Sequence, residues 1–75
     1  MNIKGILNEI KGETYITCIP LEEFGDIKEL ECFIKECRNN DIGTSIEYET
    51  SNFHCGVLVK AYDKKACTVK NEILK

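Results

Sequence analysis

Tryptophan is absent from this chain, and proline, histidine and arginine occur once each, as Pro20, His54 and Arg38. A lone proline rules out a polyproline or collagen-like chain and a proline-rich linker. A lone histidine rules out the paired-histidine zinc signatures, in which two imidazoles stand on one helix face or three to five residues apart. A lone arginine is poor provision for gripping a phosphate backbone. No apolar run approaches the roughly 20 residues that cross a bilayer. The opening MNIKGILNEIK is broken by Asn8, Glu9 and Lys11, so it reads neither as a secretory core nor as an anchor. The expected compartment is therefore the cytoplasm. Phosphate-binding glycine loops, nucleophile elbows and HExxH patterns are missing too, and with them the commonest local marks of catalysis.

What is present suits one small folded domain spanning residues 1–75. Hydrophobic residues make up 43% and charged residues 31%, enough to close a core and too apolar for a disordered chain. At this length the core is close to the smallest that holds a fold without staples. Five cysteines, Cys18, Cys32, Cys37, Cys55 and Cys67, are dense for the length. The odd count argues against a disulfide scaffold, and in a reducing compartment they serve as small apolar residues.

The periodicities predict the order α-β-α-β-β-β. Ile3, Ile6, Leu7 and Ile10 make one helical stripe within Asn2–Lys11, with Gly12 where a left-handed cap belongs. Thr14–Ile19 is β-rich, apolar on both faces and stopped by Pro20. Leu21 and Phe24 are expected to pin the following connection. Asp26 and Glu29 resemble a capping box opening a second helix, whose stripe is Ile27, Leu30, Ile34 and Cys37, widened by Phe33. RNNDIG ends that helix, its Asn and Gly suiting a left-handed turn. Thr44–Ser51 and Phe53–Tyr62 alternate as two arms of a hairpin around Ser51 and Asn52, with Thr44, Ile46, Tyr48 and Thr50 of one arm and Phe53, Cys55, Val57, Val59 and Ala61 of the other expected on the core side. Ala66–Lys70 reads as a last strand. The predicted fold class is α+β, a three- to four-stranded antiparallel sheet with two helices on one face.

Several chemistries compete for the remaining residues. A metal or redox module would draw on the cysteines and His54, yet Cys32 and Cys37 stand about 140° apart around a helix. His54 and Cys55 are neighbours on a strand and point to opposite faces. Neither pair seeds a metal clamp or a thiolate–base couple, so no catalytic residue, metal or cofactor is expected. A nucleic-acid module would use Lys60, Lys64, Lys65 and Lys70 beside Tyr62, against the chain's net charge of −3.

That charge is unevenly spread. Between Leu21 and Thr50 nine acids face three bases, a balance of −6, and from Ser51 onward two acids face five bases, a balance of +3. Glu47 and Glu49, two apart on a strand, project together about 6–7 Å apart, close to the phosphate repeat of a nucleic-acid strand. Glu22, Glu23, Glu29 and Glu36 extend the acidic surface. Such a surface suits a larger, basic protein partner, to which complementarity gives rate and specificity. A homodimer through a sheet edge is a further option.

The first residues add a likeness. Met1, Asn2, Ile3, Glu9, Ile10, Lys11 and Tyr15, with apolar Ile6 and Leu7 between them, resemble the start of small phage-encoded anti-CRISPR proteins. The match covers about a fifth of the chain, and the long acidic run of those inhibitors is absent here. The resemblance implies an acidic, non-catalytic inhibitor that occupies the nucleic-acid groove of a CRISPR effector in the cytoplasm of a host bacterial cell.

Overall fold

The computed structural model describes residues 1–50 and 55–67. Helix α1 covers Ile3–Ile10, strand β1 Thr17–Pro20, helix α2 Ile27–Asn39, strand β2 Ile42–Thr50 and strand β3 Cys55–Asp63. A short 3-10 turn, Leu21–Glu23, follows β1, and residues 64–67 are helical. The fold is α+β: an antiparallel sheet in the order β1-β3-β2, with the two main helices packed alongside it.

Local chemistry sets the helix ends. The Asn2 side chain accepts the Gly5 N–H at 3.1 Å, and Asp26 accepts the Glu29 N–H at 2.8 Å. Each satisfies one of the donors that a helix start leaves without a partner. The Glu29 carboxylate reaches back to the Gly25 N–H at 3.0 Å, one residue before the box predicts. Gly12, just past α1, has φ +83°, the conformation glycine adopts without strain. At the end of α2 the left-handed residue is Asp41, φ 58°, rather than an asparagine or Gly43.

The core lies between helices and sheet. Leu7 and Ile10 of α1, Phe33 and Cys37 of α2, and Ile19, Ile42, Val59 and Ala61 of the strands form one buried cluster with Phe24. Each large apolar side chain there contributes about 1.5–3 kcal/mol. Phe24 meets Phe33 edge-to-face, centroids 5.4 Å apart, a geometry that adds about 0.5–1.5 kcal/mol beyond burial. Phe24 thus pins the connection after β1 as expected, while Leu21 stays exposed.

Five expectations are corrected. Tyr15 and Ile16 precede β1 and are exposed, and Cys18 is exposed as well. Ile27 lies at the exposed start of α2, and Phe33 rather than Ile27 anchors its stripe. Cys55 is exposed, not part of the core. Ile46 and Tyr48 share the face of buried Ile42 yet lie beyond the cover of the helices, 52% and 67% exposed. Residues 66 and 67 are helical, not strand, because the Asp63 carboxylate accepts the N–H groups of Lys65 and Ala66 and so caps a helical turn. Phe53, His54, the Ser51–Asn52 turn and Lys70 fall outside the described residues.

Candidate functional site

The register of the hairpin decides what the acidic arm can do. Thr50 pairs with Cys55, and Ser45 with Lys60. Ser45, Glu47 and Glu49 project from the sheet face opposite the helices, and Lys60 rises from the same face of β3. Its Nζ lies 2.8 Å from Glu49 Oε1 and 3.6 Å from Glu47 Oε1. The Ser45 hydroxyl donates to the second oxygen of Glu47 at 3.1 Å. The hydrogen bond to Glu49, with the nearby carboxylate charges, raises the Lys60 pKa against its partial loss of solvent. Glu47 and Glu49 do share a face, but with the ammonium between them the trio carries one net negative charge instead of two.

The other acidic candidates separate. Pro20 and Glu47 both pair with Leu58, so the turn Leu21–Glu23 leaves the sheet at the level of Glu47, and Glu22 and Glu23 are exposed there. Asp26 and Glu29 open α2 at the same end; Glu29 is occupied by Gly25 and by the Met1 ammonium, 3.5 Å away. Glu36 is at the far end of α2, half-buried, lining a cleft of about 240 Å³ with Lys4, Lys11 and Asn40. Since Met1 meets the start of α2 and Lys11 lies by its end, α1 and α2 run parallel. The hairpin end is therefore acidic, with Glu22, Glu23, Asp26, Glu47 and Glu49. The opposite end mixes Lys11, Arg38, Lys64 and Lys65 with Glu36, Asp41 and Asp63.

At that end an open cleft of about 280 Å³ lies beside the start of β2, lined by Ile34, Arg38, Ile42, Gly43, Thr44, Tyr62 and Lys64. The Tyr62 ring packs closely over Gly43, where a Cβ would collide with it. Glycine is required there by close approach. Lys60 belongs to the acidic arm, so the lysines do not gather in one cluster around Tyr62. The nearness of Arg38 to Lys64 was not foreseen, because it depends on how α2 turns into β2.

The thiols divide by burial. Cys37 is fully buried, and burial, with the charge of Glu36, pushes its pKa to about 11. Cys32, its neighbour in the sequence motif, is exposed. Cys67 is buried and directs its thiol at the Thr14 carbonyl, 3.5 Å away. Cys55 Sγ lies 3.5 Å from the Tyr48 hydroxyl, a contact that raises the Tyr48 pKa. Among the described residues no three His, Cys, Asp or Glu side chains are grouped to hold a metal ion. No helix among them is long and apolar enough to cross a membrane.

No family model, no curated protein and no solved structure matches this chain.

Proposed function

We propose that this chain is a non-catalytic, protein-binding inhibitor or adaptor that docks its acidic hairpin end onto a basic surface of a larger protein. The observation that supports this reading is the convergence of Glu22, Glu23 and Glu47 at one end of the sheet, from segments far apart in sequence. Lys60 ties Glu49 most closely, which leaves Glu47 and the two turn glutamates as the outward charges. Carboxylates in this arrangement compete with phosphates for a cationic groove, and complementarity of this kind acts first on the association rate. The resemblance of Met1–Tyr15 makes the nucleic-acid groove of a CRISPR effector the first target to try, with the chain as a phage-encoded anti-defence protein.

The experiment is inhibition of DNA cleavage by a panel of purified CRISPR effectors, with binding followed in parallel. Against a true target the wild type binds at about 50 mM salt and weakens strongly by about 500 mM. A Glu22→Lys, Glu23→Lys, Glu47→Lys variant loses binding while staying folded. Equal binding by wild type and variant would remove the acidic end from the interaction, and silence across the panel would remove this class of target.

A further inference from the structure

The acidic arm already holds a cation. Lys60 stands on the central strand, opposite Cys18 of β1 and Ser45 of β2. From there its ammonium reaches Glu49 and Glu47, while the Ser45 hydroxyl takes the second oxygen of Glu47. The lysine side chain is 19% exposed, less than either carboxylate, so the contact keeps it against the sheet. The grip is incomplete. Nζ is within hydrogen-bond distance of Glu49 alone, because 3.6 Å to Glu47 is too long for such a bond. Glu49 Oε2 has no partner among the described residues. Each carboxylate therefore keeps one acceptor oxygen unused.

We propose that Lys60 is a built-in competitor for the acidic arm, one that turns away lysine and admits arginine. The inference rests on the reading that this arm meets a basic partner. An incoming lysine brings one strongly hydrated point charge, which is what the arm already has. Lys60 holds the advantage in that exchange because it is tethered, with an effective concentration of roughly millimolar or more.

A guanidinium differs in kind. It is planar, more weakly hydrated, and carries its N–H groups in a fork that meets two oxygens at once. The unused oxygens of Glu47 and Glu49 are the acceptors for it, and the Lys60 ammonium does not hydrogen-bond both carboxylates. Ion pairs at a surface hold weakly. Lys60 therefore yields to a ligand that bonds better and withstands one that bonds only as well. The partner surface selected in this way is rich in arginine rather than lysine.

Titration of nona-arginine and nona-lysine peptides into the full chain tests this without any effector, read by amide NMR shifts at Glu47, Glu49 and Lys60. At about 50 mM salt the wild type should prefer the arginine peptide about tenfold. Lys60→Met removes the competitor and should narrow that preference to about threefold or less, the lysine peptide gaining most. Lys60→Arg keeps the charge but gives the arm its own guanidinium. It should narrow the preference from the other side, weakening the arginine peptide about threefold or more. A lysine acting through charge alone gives a different pattern: Lys60→Met strengthens both peptides alike and Lys60→Arg changes neither. Either of those results would overturn the proposal and leave docking by the acidic end intact. Failure of both peptides to shift Glu47 and Glu49 would overturn the proposal and that docking together. Amide shifts unchanged in the core residues Phe33 and Val59 would show that each variant is folded.

Discussion

The two edges of the sheet are built on opposite plans. Strand β1 has four residues, ends at Pro20, and places its apolar residue Ile19 in the core beneath the helices. Strand β2 is more than twice as long, begins in the core at Ile42, and then runs out past the helix layer. An edge that stops where its cover stops offers no backbone to strangers. An edge that outruns its cover presents both hydrogen-bonding groups and apolar side chains. The difference lies in length and cover, since both strands hold β-branched residues of similar kind.

The largest test of that contrast compares two isoleucines. Ile19→Ala should cost about 2–4 kcal/mol of unfolding free energy, as a buried residue losing most of its side chain. Ile46→Ala, measured by urea unfolding at low protein concentration, should cost less than about 1 kcal/mol. Equal costs would mean that the helix layer covers both edges alike. A smaller effect concerns what ties the far ends of the two edges together. Asp63 at the end of β3 accepts N–H groups from Gly12, Lys65 and Ala66, and these bonds, Gly12's foremost, hold its carboxyl below the usual value. Stability from a depressed carboxyl is complete above its unfolded value of about 3.9 and is lost as pH falls through the folded value. The urea midpoint should therefore drop on acidification below about pH 4, and Asp63→Asn should flatten that part of the profile. The smallest effect is on reactivity rather than stability. In the native protein, alkylation followed by mass analysis should modify Cys18, Cys32 and Cys55 quickly and leave Cys37 and Cys67 until unfolding. Rapid labelling of Cys37, whose pKa stands at about 11, would show that the helix layer opens readily.

Much of the fold is legible in the sequence because its signals are local. Asp26 before an apolar stripe and Gly12 after one mark helix ends by the chemistry of single residues. Alternation reveals both arms of the hairpin. What escapes is anything that depends on register. A turn of Ser51 and Asn52 alone would set Thr50 opposite Phe53, whereas Thr50 lies opposite Cys55. That shift of two residues keeps every side chain on its expected face but brings Lys60 beside Ser45 and within reach of both glutamates. The acidic pair could therefore be read from spacing, while its neutralising partner could not. The exposure of Ile46 and Tyr48 escapes for a similar reason: period-two patterning shows which face a residue takes, not how far the helices extend over it. Tyr15 and Ile16 carry strong β preference, yet β1 begins only at Thr17, opposite Ala61. Asp63, two residues further along β3, is committed to the end of α1 through Gly12.

The central position of β3 has a consequence for how the chain acquires its shape. Among the described residues both edge strands pair only with β3, the last of the three strands in sequence, so during synthesis neither has that partner until most of the chain is made. The hairpin closes a short loop and α2 adjoins it in sequence, so these form the cheapest nucleus by loop-closure entropy. Strand β1 must then join across some forty residues, from Thr17 to Ala61, bringing α1 with it. The short, well-covered edge is thus the last to be set in place, and the long exposed one belongs to the part that forms first.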